Sequence, residues 1–260
     1  MTRAAMITLV LEVGFVLAWS SGFVGARLAV EHAPASLVLF WRFVLAGILL
    51  APFAARAGFG AHGWREIAIQ AAVGTLAIAG YLAGVVKAVE FGVPAGLVAL
   101  IAALQPLVTA ALAGPVLGER AAPRQWLGLA LGFGGVALAL SGAMRLGTAP
   151  AWACLLPLAG MLSLVAATLL QKARTGPELP ASVGLGIQCA VAAAIFAATA
   201  AAEGRVAPVP TAGFAVSILW VVVFSTFGGY GLYWACLKRT SATRVSSLVY
   251  FTPPVTMIWA

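Results

Sequence analysis

The sequence is poor in charge and holds no aspartate at all. Its seven acidic residues are glutamates, and only 8% of positions are Asp, Glu, Lys or Arg, against about 25% in an average soluble domain. A chain so short of charge cannot clothe a water-facing surface, which excludes an ordinary soluble domain. Histidine is scarce, with His32 and His62 in different inter-run stretches. Without aspartate, and with the histidines apart, neither a metal cluster nor a carboxylate dyad can be assembled, and no cofactor or catalytic residue is expected. The three cysteines, Cys154, Cys189 and Cys236, form no CxxC and lie inside apolar runs. They read as small buried hydrophobes. The net charge is +8, but the basic residues are scattered singly with no patch of interleaved aromatics. Nucleic acid is therefore not an expected partner.

What the chain has in abundance is hydrophobic sequence, 63% of it, gathered into nine runs: 6–26, 35–55, 67–86, 94–117, 126–144, 150–170, 181–202, 214–237 and 245–260. The first eight are near the roughly 20 residues that a spanning helix needs. Barrel strands would be about half as long and would alternate in polarity. The expected fold class is all-α, a polytopic helical membrane protein whose medium is the lipid bilayer. The opening "MTRAAMITLVLEVGF" runs on too far for a secretory signal core and shows no clear A-x-A site, so the first run is read as a retained span. Ten Lys and Arg residues fall on one side of the alternating loops and four on the other, which puts the N-terminus in the cytoplasm. The ninth run is short, about 24 Å as a helix. The natural chain is accordingly expected to continue by roughly 30–40 residues, a loop and a tenth span.

The segment "PAGLVALIAALQPLVTA" aligns with "ATRVSSLVYFTPPVTMI" at an offset of 148, so that Pro106 meets Pro254 and Leu100 meets Leu248. These are the fourth and ninth runs. A repeat of five spans has an odd count, so a second copy enters the membrane inverted, an architecture of many secondary transporters. The expected domains are a first five-helix repeat over 1–145 and a second, incomplete one over 146–260. Counting helical rise puts Pro106 and Pro254 near the midplane. A proline there frees the carbonyl four residues back, Ala102 and Tyr250. The two are either packing kinks or helix breaks flanking a polar cavity.

The chain resembles the EamA family of the drug/metabolite transporter superfamily. The likeness is carried by "AWSSGFVGARLAV", by "WRFVLAGILL", and by a long segment with Pro106, then Gly118-Glu119-Arg120, then Gly128, Gly132 and Gly135. The second half adds "GGYGLYWACLKRTSATRVSSLVYFTPPVTMIWA". The resemblance implies ten helices in two inverted repeats, a place in the bacterial inner membrane, and export of small metabolites, often amino acids. The chain departs from that pattern in lacking the second Gly-Glu loop and the tenth helix.

Two ionisable side chains sit well inside runs. Glu12 lies about 9 Å from the inner face and either reaches the cytoplasmic interface or hydrogen-bonds locally, or else acts as a proton-coupling acid. Arg42 interrupts "ASLVLFWRFVLAGILLAPFA", at a cost of about 2.5–3.5 kcal/mol on insertion scales. Helical rise puts it level with Trp19, Ser20 and Ser21, about 10 Å below the outer face, with Glu12 about 10 Å deeper. Its guanidinium is expected to donate to Ser20 or Ser21 and to carbonyls of the first helix, to hold a substrate carboxylate, or to snorkel. Trp19, Ser20, Arg42, Tyr81, Gln105 and Tyr250 are the candidate substrate-binding residues. Tyr230, Tyr233 and Trp234 read as ordinary interfacial aromatics. Gly128, Gly132 and Gly135 read as a close-packing face. The function expected is a secondary transporter of small metabolites working by alternating access. The alternative is a non-transporting membrane scaffold or an inactive remnant. The sequence leaves the oligomeric state open.

Overall fold

The computed structural model describes residues 3–58, 63–141, 149–175 and 179–259, without the side chains of Phe23, Ala26, Arg27, Met257 and Trp259. His62, Arg145 and the expected repeat boundary at 145/146 lie outside the described residues. Those described form helices and no strand. Helix α1 is Arg3–Val30 and α2 is Ala35–Ala57. Next come α3 (Trp64–Val73), a π-helical segment (Gly74–Gly80) and α4 (Tyr81–Glu90), stacked end to end. The fourth run is α5 (Ala95–Ala102) and α6 (Gln105–Leu117), and the fifth is α7 (Pro123–Leu140). A 3₁₀ turn (Ala151–Cys154) opens α8 (Leu155–Ala173), followed by α9 (Ala181–Ala202). The eighth run is α10 (Ala212–Trp220), a second π segment (Val221–Tyr230) and α11 (Gly231–Arg239). The last comprises α12 (Ala242–Ser247), a 3₁₀ turn (Leu248–Phe251) and α13 (Thr252–Trp259).

Seven of these are long and apolar enough to cross a membrane, among the described residues. They correspond to runs one to four and six to eight. The fifth run is the helix α7, and the ninth is divided into three short pieces.

Prolines mark where helices begin. Pro34, Pro94 and Pro180 are the N-caps of α2, α5 and α9, and Pro123 is the first residue of α7. The first turn of a helix has N–H groups without intrahelical acceptors, so a residue that lacks an N–H costs nothing there. The same rule bears on Pro106 and Pro254, where helix breaks are expected. Pro106 is the second residue of α6 and Pro254 the third of α13. The interruption precedes each proline, at Ala103–Leu104 and over Leu248–Phe251, and each proline starts the helix that resumes.

The chain divides into two compact units. Unit one comprises Met1–Thr75, Thr175–Arg239 and Phe251–Ala260; unit two comprises Leu76–Arg174 and Thr240–Tyr250. Within unit one, α2 packs along α9, and α1 packs along α10, the second π segment and α11. The second of these contacts is glycine-lined. A Cβ added at Gly22 would stand 2.6 Å from Ser225 Oγ, one at Gly25 2.3 Å from Trp220 Cδ1, and one at Gly228 2.7 Å from Ala18 Cβ. Close backbone approach through small residues is the usual way helices associate when lipid supplies no hydrophobic drive.

Within unit two, α4 lies against α8, with Gly84 facing the Leu156 carbonyl and Gly160. Two apolar clusters build its core, Ala88 with Val93, Val98 and Ala153, and Ala113 with Met161, Val165 and Leu169. Of the expected glycine face on α7, Gly132 packs against the Tyr250 ring, whereas Gly128 and Gly135 have nothing within 4 Å of an added Cβ.

Candidate functional site

The polar residues of unit one gather around Arg42. Arg42 is 5% exposed, so it does not snorkel. Its Nε donates to Thr226 Oγ1 at 2.9 Å and its Nη2 to Ser225 Oγ at 2.8 Å, and its guanidinium carbon stands 5.0 Å from the Phe43 ring centroid. The expected tie to the first helix is therefore corrected: Arg42 binds the second π segment. Ser20 and Ser21 instead turn back on α1, donating to Val16 O at 2.6 Å and Ala18 O at 2.8 Å. Ser20 also donates to Thr252 O at 3.3 Å, which ties α1 to α13.

The π winding supplies Arg42 with its partners. Thr226 Oγ1, while accepting from Arg42, donates to Val221 O five residues back at 3.2 Å, in the spacing of a π turn. Among the described residues no carboxylate pairs with Arg42, and its Nη1 makes no described hydrogen bond. The ionisable groups within electrostatic reach are the Tyr230 hydroxyl and the Cys189 thiol.

Trp19 stands in an aromatic cluster. Its ring centroid is 5.2 Å from Tyr230 in an edge-on arrangement, 5.4 Å from Phe15 and 6.0 Å from Tyr233. Tyr233 in turn stands 5.0 Å from Trp234, edge-on. Tyr230, Tyr233 and Trp234 are buried, which corrects their reading as interfacial aromatics. Glycine at 229 gives Trp19 its room, since a Cβ there would meet Trp19 Cε3 at 3.3 Å.

A hydrogen-bonded chain continues from Trp234. Its Nε1 donates to Gln188 Oε1 at 2.9 Å, and Gln188 Nε2 donates to Gln70 Oε1 at 2.7 Å. Trp234 thus joins the glutamine pair to the aromatic cluster, all within the unit that holds Arg42. Replacing Gln188 by leucine removes the acceptor of Trp234 and a donor to Gln70. The expected result is a loss of about 1–3 kcal/mol in stability, read as a lower unfolding temperature in detergent. Sequence reading passed over Gln70, Gln188, Ser225 and Thr226. The available signal was a single glutamine in each of two otherwise apolar stretches, "IAIQAAV" and "GLGIQCAV".

The other candidates stand as follows. Glu12 is buried on α1, 4% exposed. Tyr81, Gln105, Pro106 and Tyr250 belong to unit two. Tyr81 opens α4, and its carbonyl is 3.0 Å from a Cβ added at Gly160. Gln105 is buried at the start of α6. Thr109 Oγ1, one turn further on, and the Tyr250 hydroxyl are buried without a hydrogen-bond partner among the described residues.

Residues 6–141 and 151–260 match the EamA-like transporter family. The chain is 25% identical over 240 residues to the "Uncharacterized inner membrane transporter YedA" of Escherichia coli strain K12, covering 92% of this chain and 77% of that protein. It is 26% identical to a "Probable amino-acid metabolite efflux pump" of Salmonella typhimurium strain LT2, over 92% of this chain and 81% of that one. It is also 27% identical to a "Probable terminal-alkyne amino-acid exporter" of Streptantibioticus cattleyicolor, over 94% and 81%. One solved crystal structure shares the fold with a TM-score of 0.80 at 18% identity, covering 99% of this chain and 88% of its own. With both halves matched, the chain belongs to the EamA-like transporter family.

Proposed function

We propose that the protein is a multi-pass inner-membrane exporter of small amphiphilic metabolites bearing a carboxylate, such as amino acids, and that Arg42 anchors the carboxylate. The observation that carries this reading is the state of Arg42. It is buried, yet its described partners are neutral hydroxyls. A guanidinium out of water with no counter-charge beside it favours an anion, and its planar fork suits a carboxylate. The Trp19, Tyr230 and Tyr233 rings would take the apolar part of the solute, with Ser20 next to Trp19 along α1. The relatives named for amino-acid efflux and for the inner membrane support the same reading.

Alternating access between two inverted five-helix repeats, over 1–145 and 146–260, is the mechanism we favour. Two correspondences support it. The π segment Gly74–Gly80, shifted by the repeat offset, falls inside the π segment Val221–Tyr230. The interruption at 103–104, shifted equally, falls at the end of the 3₁₀ turn Leu248–Phe251. Paired irregularities at corresponding depths are where inverted repeats can bend in turn. Pro106 and Pro254 restart the helix after each interruption, and Tyr81, Gln105 and Tyr250 of unit two are further candidates for contact with solute. Glu12, buried on α1, is the candidate for proton coupling, with the N-terminus cytoplasmic.

The test is efflux from proteoliposomes loaded with a panel of amino acids and uncharged analogues. Carboxylate-bearing solutes are expected to leave faster with protein than without. Folded protein that moves none of the panel overturns the exporter reading in favour of a scaffold.

A further inference from the structure

The Gly118-Glu119-Arg120 motif lies outside the Arg42 site, and unit two shows what its glutamate touches. Gly118 takes a left-handed φ of 72° and ends α6. The Gly118 N–H donates to Gly114 O at 2.9 Å, and the Glu119 N–H reaches back to Ala113 O at 3.2 Å. Only glycine holds that turn without strain. The Glu119 side chain leaves it for the short link at 240–242, in which Thr240 and Ser241 follow α11 and Ala242 is the first residue of α12. Glu119 Oε2 accepts the Ala242 N–H at 2.8 Å. Lys172, in the last turn of α8, donates from Nζ to the Thr240 carbonyl at 2.8 Å. Lys172 Nζ and Glu119 Oε1 stand 4.0 Å apart, with the side chains 25% and 24% exposed.

The element so held is not stable by itself. Helix α12 has six residues, of which Ala242, Thr243, Val245 and Ser246 are buried, and isolated helices of that length do not form. The N–H groups of its first turn have no acceptor within the helix. Glu119 takes the first of them. Ser241 Oγ takes that of Arg244 at 3.2 Å. Within unit two α12 packs on α6 and α8, the helices from whose ends Glu119 and Lys172 arise.

We propose that Glu119 and Lys172 form a two-point latch on the 240–242 link. The carboxylate grips the amide at one end of the link and the ammonium grips the carbonyl at the other. Their mutual attraction keeps both grips closed. Release frees α12 from α6 and α8 as one piece, so the pair sets how often that end of unit two opens. The latch does not depend on which solute is carried or on the role of Arg42.

The experiment is hydrogen–deuterium exchange of the full chain in lipid nanodiscs, followed on a peptide covering 240–248. Glu119→Ala and Lys172→Met are each expected to speed exchange of the α12 amides about tenfold, with α9 of unit one unchanged. The double variant Glu119→Lys/Lys172→Glu restores opposite charges but offers an ammonium where the Ala242 amide needs an acceptor, so its exchange is expected to stay fast. Unchanged exchange in both single variants overturns the latch. So does recovery of protection in the double variant, because the ion pair alone would then suffice. A uniform rise across all helices also overturns it, because the pair would be a general stabiliser.

Discussion

Arg42→Gln is expected to slow efflux of carboxylate-bearing solutes about a hundredfold and to leave uncharged analogues within about twofold. Truncating one member of a buried charge pair costs about 2–5 kcal/mol, and a hundredfold is about 2.7 kcal/mol on that scale. Glutamine can still donate to Thr226 or Ser225, so folded yield should hold. Arg42→Lys keeps the charge but not the fork. An ammonium that satisfies both hydroxyls has no planar face left for a carboxylate, and a loss of about tenfold is expected. Initial efflux rates for both solute classes, beside the yield of monodisperse protein, separate binding from architecture. Equal losses for both solute classes with a fallen yield would make Arg42 a tie between α2 and the second π segment and nothing more.

Gly74→Ala is expected to be the most damaging conservative change in unit one. A Cβ at position 74 stands 2.5 Å from Gln188 Cα and 2.9 Å from Gln188 O. Both are backbone atoms, so no side chain can swing aside. Helix α9 must move away, and the hydrogen bond between Gln70 and Gln188, one turn along, is lost with it. Overpacking costs about 1–3 kcal/mol and the broken amide pair adds about 1 kcal/mol. Gly47→Ala is the control, because nothing lies within 4 Å of its added Cβ. In the middle of α2 it should be neutral or slightly stabilising. Thermal unfolding of both variants in detergent decides the matter, and equal melting temperatures would refute the packing argument.

The helical runs were legible because bilayer thickness dictates their length, and the prolines because a missing N–H confines them to particular places. Arg42 was legible as an anomaly. Its partners were not. Depth counting put Trp19, Ser20 and Arg42 at one level, but it cannot tell which distant helix leans on which, and Ser225 and Thr226 arrive from 183 and 184 residues away. Tyr230, Tyr233 and Trp234 looked interfacial because aromatics near the end of a span usually are, and the sequence does not show that they bury against Trp19 and Gln188. Gln70 and Gln188 escaped notice because a lone amide in an apolar run announces neither its burial nor its partner. At Pro106 and Pro254 the proline marked an interruption, but the sequence does not say where within the run the helix restarts, which is just before each proline.

The second π segment has a consequence for how this chain tolerates insertion and deletion. A π turn closes each hydrogen-bonded ring around one residue more than an α turn does. Deleting a single residue between Val221 and Tyr230 would let the run close as ordinary α-helix, the fifth residue on now bonding as the fourth, with α11 left in its present orientation. The same deletion in the regular helix α9 (Ala181–Ala202) has no spare residue to give up and turns everything beyond it by about 100°. Tyr233 and Trp234, downstream of the π segment, would stay against Trp19 and Gln188, and the part at risk would be Thr226 itself, which lies inside the segment. The spare residue is thus slack: a length change of one is absorbed there and is ruinous in α9.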